Sequence, residues 1–180
     1  MEKSLLIAGF GGQGVQTLGK MIAYAANEDD KNVTFAPSYG GEMRGGTSNC
    51  TVVVSDRQIC SPNKQFLDVV TVLNEASLKQ FENRVKPGGT LIVNESLVTS
   101  EVERGDIKVV KVPLNEITSR IGSEKVLNVI TMGFIVEYTG IVSGESARAI
   151  VEEKLGKKEQ FRKMNNDAYL AGVSIAKELS

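Results

Sequence analysis

Leu5-Leu6-Ile7-Ala8-Gly9-Phe10-Gly11-Gly12-Gln13-Gly14-Val15 is the stretch on which the fold turns. Leu5 to Ala8 form a short continuous apolar run ended by glycines, the pattern of a strand buried on both faces. Beyond the glycines a helical period begins, with Val15, Leu18, Ile22 and Ala25 on one side. Gly19, Ala23 and Ala26 would let that helix lie close to a sheet, and the polar segment Asn27 to Lys31 breaks it. A strand, a tight glycine turn and a helix in that order open an α/β fold.

The rest of the chain extends the pattern. Val33 to Ala36 reads as a second strand, and Asn49 to Ser55 as a β-branched strand bounded by Asp56-Arg57. Between them Ser38 to Gly46, with four glycines in nine residues, is expected to be irregular. Leu67 to Leu73 is another apolar run, followed by a helix from Glu75 to Val85 that Pro87-Gly88-Gly89 stops. Thr90 to Val93 and Ile107 to Val112 are further strands, and from Leu114 onward the chain is mostly helical. Phe161, Met164, Ala168, Ala171 and Ile175 fall on one helical face, predicting a single buried stripe. With no repeat, linker or low-complexity tract, residues 1–180 read as one domain. The expected fold is a Rossmann-like, mostly parallel sheet with helices on both faces and a helical C-terminal third.

Composition removes several functions. Lys+Arg number 21 against 22 Asp+Glu, a net charge of -1, so there is no excess to neutralise a nucleic-acid backbone. The basic run Lys157, Lys158, Arg162, Lys163 is interleaved with Glu159 and reads as a solvated helix face. His and Trp are absent, which excludes Ser-His-Asp and Cys-His catalysis and any His-ligated metal. The two cysteines, Cys50 and Cys60, cannot hold an iron-sulfur cluster or a structural zinc within one chain. Cys50 is expected to be a buried inert thiol and Cys60 to be more exposed, with a disulfide disfavoured in a cytosolic chain. The N-terminus carries no signal-peptide pattern, and the apolar stretch Val126 to Val136 is far short of the roughly 20 residues a bilayer demands. The chain is expected to be soluble and cytoplasmic.

Gly9, Gly11 and Gly14 satisfy G-x-G-x-x-G between a strand and a helix, where free N–H groups at the helix start attract anions. Three readings stay open: a dinucleotide loop, glycines serving only close packing, and a loop facing an anion or a partner. The dinucleotide reading wants a carboxylate at the end of the second strand. That strand ends in Pro37-Ser38, while Glu28, Asp29 and Asp30 precede it. The second glycine segment, Ser38-Tyr39-Gly40-Gly41-Glu42-Met43-Arg44-Gly45-Gly46, leaves the carboxyl end of the second strand. In a parallel sheet both loops are therefore expected at one edge, where ligands and partners bind. Asn128 and Thr131 are polar positions in an apolar helix, expected to be buried hydrogen-bonding residues, with a ligand or interface role as the alternative. Glu152-Glu153 are expected to face solvent, and Tyr138 and Tyr169 to be core or rim aromatics.

Gly11-Gly12-Gln13-Gly14 after the first strand, then Ser38-Tyr39-Gly40-x-Glu42-x-Arg44-Gly45-Gly46, then a β-branched strand, resembles the gamma subunit of 2-oxoacid:ferredoxin oxidoreductases. The similarity continues through Leu67-Asp68-Val69-Val70, Lys86-Pro87-Gly88-Gly89, Val112-Pro113-Leu114 and the Asn128 to Gly140 helix. The Ser-Tyr-Gly form looks more like the 2-oxoglutarate and branched-chain members than the pyruvate members. The resemblance implies a complex that converts a 2-oxoacid and coenzyme A to acyl-CoA and carbon dioxide while reducing ferredoxin. It implies that alpha- and beta-type subunits, with a ferredoxin-like delta subunit as a further candidate, carry thiamine diphosphate, magnesium and 4Fe-4S clusters. The chain itself would hold no cofactor, perform no catalysis alone, and leave surface open to self-association when isolated. The ligand or interface loops would comprise Gly9, Gly11, Gly12, Gln13, Gly14, Ser38, Tyr39, Gly40, Glu42, Arg44, Gly45 and Gly46, with Asn128. Whether they shape coenzyme A access or only contact another subunit stays open. An independent NAD(P)-dependent oxidoreductase and a scaffold module are the alternatives.

Overall fold

The computed structural model describes residues 1–39 and 47–180, so Gly40, Glu42, Arg44, Gly45 and Gly46 lie outside the described residues. The apolar run Leu5 to Ala8 is the middle of β1 (Glu2–Phe10) and is wholly buried. Its alternating side chains serve two cores at once. Leu5 and Ile7 face a large cluster that includes Leu18, Ile22 and Phe134, while Leu6 and Ala8 face a smaller one with Leu78 and Phe81. A fully buried Leu or Ile of this kind contributes about 1.5–3 kcal/mol.

α1 (Val15–Glu28) returns over the first face to β2 (Asn32–Tyr39), and β3 (Thr47–Ser55) follows. β4 (Leu67–Val72), α2 (Glu75–Phe81), β5 (Val85–Asn94) and β6 (Lys108–Val112) complete the strands. The sheet order is β2-β3-β1-β4-β5-β6, with β3 antiparallel to both neighbours and the other pairs parallel. Every strand but β3 therefore runs the same way, as the mostly parallel expectation holds. The strict alternation of strand and helix fails between β2 and β4, because β3 folds back beside β2 and takes the place next to β1.

The structure corrects three expectations. Ser38 and Tyr39 are regular, pairing with Asn49 and Ser48 at the end of β2, because β3 supplies hydrogen-bond partners that a lone loop lacks. The helix after β4 stops at Phe81, passes through a 3-10 turn, and Lys86 to Gly89 lie within β5. There Leu67 pairs with Val85 but Val69 with Thr90, so β5 bulges around the Pro-Gly-Gly residues. The third correction concerns the C-terminal helices.

α3 (Leu114–Ile121), α4 (Leu127–Thr139), α5 (Gly144–Leu155) and α6 (Glu159–Glu178) stack on the large-core face. α4 is buried at every position from Leu127 to Val136, as a helix apolar all round must be. The buried face of α6 is Asn165, Ala168, Tyr169, Gly172 and Ala176, whereas Phe161 is 39% exposed. Of the stripe expected from large apolar residues only Ala168 is fully buried. The helix turns its small residues inward because its backbone runs directly against α4: a methyl on Gly172 would collide with the Ile130 carbonyl oxygen, and one on Gly133 with that of Tyr169. Among the described residues no helix is long and apolar enough to cross a membrane.

α5 is tied to the end of α1. Asp29 accepts hydrogen bonds from Ser143 N at 2.6 Å, Ser143 Oγ at 2.7 Å and Ser146 Oγ at 2.6 Å. Burial pushes its carboxyl up, and these three bonds outweigh that and hold it below the usual carboxylate range. Glu152 and Glu153 face solvent as expected. Arg162 pairs with Glu152 at 3.3 Å on the solvated face of α6.

Cys50 and Cys60 are free thiols, the first buried and the second exposed. Burial pushes the Cys50 thiol up from 9.0 to about 12. Burial, with Glu137 nearby, likewise raises the Tyr169 phenol from 10.0 to about 12. The folded chain thus keeps two protons that the unfolded chain releases near pH 9 and 10. The corresponding stability is complete below about pH 9 and is lost as pH rises toward about 12. The urea midpoint is expected to fall across that window and to fall less steeply in Cys50→Val. An equal slope in the variant would remove Cys50 as a cause.

Candidate functional site: the carboxyl edge of the sheet

Phe10 ends β1, and the chain turns at once, Gln13 N donating to the Phe10 carbonyl at 3.2 Å. Gly12 has φ 103 and Gly14 φ 75, the left-handed region in which a side chain is strained. Gly14 is also the N-cap of α1, which has neither a side-chain cap nor an acidic residue in its first turn. Its leading N–H groups are therefore left to whatever meets the loop. Gly11 and Gly12 are exposed, as is Phe10 at 40%.

α1 packs on one face of the sheet and α2 on the other, so the connections diverge between β1 and β4. Such a divergence opens a crevice at the carboxyl ends of the strands. Here a side chain of the chain itself occupies it. Gln13 Oε1 accepts from Phe10 N at 2.7 Å and from Asn74 Nδ2 at 3.2 Å, and Gln13 Nε2 donates to the Leu73 carbonyl at 3.3 Å. The same carbonyl accepts from Asn94 Nδ2 at 3.1 Å, which also donates to Asn115 Oδ1 at 2.8 Å. Asn74 Oδ1 caps α2 by accepting from Ser77 N at 2.9 Å. A row of carboxamides therefore links the first glycine loop, β4, β5 and α3.

On the other flank, Gln16 Nε2 donates to Ser48 Oγ at 3.0 Å and to the Asn49 carbonyl at 2.8 Å, tying the first turn of α1 to β3. Phe10 is paired with Thr47 and Tyr39 with Ser48. Both ends of the second glycine segment thus lie at the edge that carries the first loop. Asn128, 8% exposed at the start of α4, stands against Gly14: a methyl there would lie 2.9 Å from Asn128 Cβ. Its Oδ1 has no hydrogen-bond partner among the described residues. Thr131, by contrast, donates to the Leu127 carbonyl at 2.7 Å.

The structure sorts the expected site residues. Gly11, Gly12, Gly14 and Asn128 share one rim, with exposed Ser38 and the β2 terminus at Tyr39 on the far side of β3. Gly9 is buried and Gln13 turns inward, so neither side of that pair faces outward. Gln16, Ser48, Asn74, Asn94 and Asn115 were not singled out from sequence. One signal was present: each later strand runs into an asparagine, as in Val72-Leu73-Asn74, Ile92-Val93-Asn94 and Val112-Pro113-Leu114-Asn115.

Among the described residues, every side chain named in the rim is an amide, hydroxyl or apolar group. No group of three or more His, Cys, Asp or Glu among the described residues could hold a metal. The geometry also opposes a dinucleotide. With β3 interposed, the tip of β2 lies two strand spacings, about 10 Å, from β1. Of the acids that precede that strand, Asp29 is engaged by Ser143 and Ser146.

The family model described as pyruvate ferredoxin/flavodoxin oxidoreductase matches residues 4–175, nearly the whole chain. The chain belongs to this family. Within the pyruvate ferredoxin/flavodoxin oxidoreductase family, it is 33% identical over 182 residues to the 2-oxoglutarate synthase subunit KorC of Methanocaldococcus jannaschii, covering 99% of this chain and 96% of that one. It is 34% identical over 179 residues to the ketoisovalerate oxidoreductase subunit VorA of Methanothermobacter thermautotrophicus, covering 98% of this chain but 37% of VorA. The chain therefore spans little more than a third of one relative and nearly all of the other. The crystal structure of the keto/oxoacid ferredoxin oxidoreductase gamma subunit of Geobacter sulfurreducens has a TM-score of 0.88 at 29% identity, covering 99% and 98% of the two chains. The resemblance drawn from the two glycine motifs is borne out at this level.

Proposed function

We propose that the chain is the gamma-type subunit of a cytoplasmic 2-oxoacid:ferredoxin oxidoreductase, folding as one unit over residues 1–180. The observation that carries this reading is the end-to-end match with KorC, 99% of one chain against 96% of the other. The single sheet with a core on each face supports one unit. In this reading thiamine diphosphate, magnesium and the clusters belong to alpha- and beta-type partners. The donor set of this chain, two cysteines and no histidine, does not fit an iron-sulfur cluster, and its cysteines differ sharply in exposure.

The contribution of this subunit would be a preformed rim. Gly11 and Gly12 are exposed at the start of α1, and the strand ends that flank the second glycine segment, Tyr39 and Thr47, lie at the same edge, while Glu42 and Arg44 themselves lie outside the described residues. Backbone donors and an arginine fork suit the diphosphate of coenzyme A or an acidic loop of a partner subunit. An affinity-tagged chain drawn from source cells is expected to bring down thiamine- and cluster-bearing subunits and acyl-CoA-forming activity on a 2-oxoacid. Recovery of the chain without any such partners or activity would reject the reading in favour of a scaffold.

A further inference from the structure

The crevice between β1 and β4 is where an open α/β sheet usually receives a ligand, and in this chain it is filled from within. Three hydrogen bonds from two atoms of Gln13 account for that: Phe10 N and Asn74 Nδ2 on Oε1, and the Leu73 carbonyl on Nε2. Both acceptor directions of the amide oxygen and one of the two N–H donors are thus directed to the chain's own atoms. From this arrangement we infer that Gln13 is a positioning residue: it is a strut that holds the first glycine loop in the shape in which it meets its partner. The inference rests on the reading of the loop as a ligand or subunit surface and specifies how that surface is set.

Gly9 supplies independent support. It lacks a positive φ, so its backbone does not demand glycine. What demands it is the seat of the Gln13 side chain. A methyl on Gly9 would lie 2.5 Å from Gln13 Oε1 and 3.1 Å from both Leu73 Cβ and Val15 Cγ2. The first glycine of the motif therefore makes room for the glutamine four residues on, and not for an incoming ligand. The end of a flexible side chain is the easiest of these neighbours to displace, so a residue larger than glycine at position 9 expels the strut before it breaks the strand. The strut also ends on something firm, since the Leu73 carbonyl it shares is held by the fully buried Asn94. A loop containing Gly11, Gly12 and Gly14 has wide backbone freedom, and without the strut the Gln13 N to Phe10 carbonyl bond is what would close it among the described residues.

Two substitutions at different positions should then give one phenotype. Gln13→Met keeps the volume and removes every side-chain bond, while Gly9→Ala keeps the glutamine and removes its seat. In the purified full chain, amide hydrogen exchange at Phe10 and Gln13, whose N–H groups are the bonded ones of the turn, is expected to speed up roughly tenfold in both variants, the factor that matches about 1.4 kcal/mol of lost protection. Exchange at Ile7 and through α4 should stay at the wild-type rate. In the reconstituted complex, the KM for coenzyme A or the concentration of this chain giving half-maximal activity should rise roughly tenfold at little-changed kcat. Gln13→Glu, which keeps the acceptor for Phe10 N and Asn74, should recover part of both effects. Unchanged loop exchange in Gln13→Met overturns the strut whatever the complex does. Faster exchange with unaltered affinities overturns the positioning role. Failure of the wild-type chain to support activity with its partners counts against the proposed function alone, because the exchange result on the isolated chain still decides the strut.

Discussion

Gly172→Ala is expected to lower the melting temperature by about 6–12 °C, the shift that about 3 kcal/mol produces in a chain of this size. The added methyl would collide with the Ile130 carbonyl oxygen and come within 2.8 Å of Phe134 N. Both are backbone atoms of α4, which is buried along its length and cannot retreat without disturbing the core around Phe134 and Ile135. Gly133 makes the reciprocal approach to α6, so the two helices touch backbone to backbone at a crossing that only glycine permits on either side. Interiors packed this tightly transmit the misfit and do not absorb it. Gly105→Ala is the matched control, since no atom of the described residues lies within 4 Å of a methyl there. Thermal unfolding followed by circular dichroism should separate the two; equal midpoints would remove the close crossing as a source of stability.

Gly14→Ala is expected to damage the site more than the fold. The left-handed backbone at φ 75 costs an alanine about 1–2 kcal/mol. A second penalty comes from Asn128, whose Cβ would lie 2.9 Å from the new methyl. Gly14 is half-buried at the rim, so the strain is relieved by moving the loop and the first turn of α1. The melting temperature should therefore fall by only about 2–8 °C. If the chain acts as proposed, acyl-CoA formation by the reconstituted complex should fall about tenfold, the consequence of some 1.4 kcal/mol of misplaced contact. Which quantity carries the loss identifies what the loop meets. A raised KM for coenzyme A assigns it to the co-substrate, and a raised requirement for this chain assigns it to a subunit interface. Wild-type values of both would take Gly14 out of the functional surface.

The carboxamide row explains why the rim was only partly legible. Asn74, Asn94 and Asn115 each follow an apolar run, a place where asparagine ordinarily caps a helix or ends a strand. Asn74 does cap α2, yet its other amide atom reaches Gln13, 61 residues away in the chain. No local pattern announces a bond of that span. The same holds for Gln16, an unremarked polar position of α1 whose partners are on β3. The C-terminal helix misled in a different way: of the expected stripe Ala168 is fully buried and Met164, Ala171 and Ile175 only partly, while the small residues Gly172 and Ala176 beside them take the deepest positions. Hydrophobic periodicity assumes that burial rewards size, and a helix pressed against another backbone reverses that preference.

Residue chemistry along the chain was enough to determine an α/β protein with a central buried strand, a glycine turn before the first helix, and membership of its family. Those are matters of local propensity, composition and motif order. Tertiary structure alone decided that β3 enters between β1 and β2, that Gln13 fills the β1–β4 crevice, and which face of α6 meets α4. Each of these depends on contacts between segments far apart in the chain, where the free energy of docking overrides what either segment prefers alone.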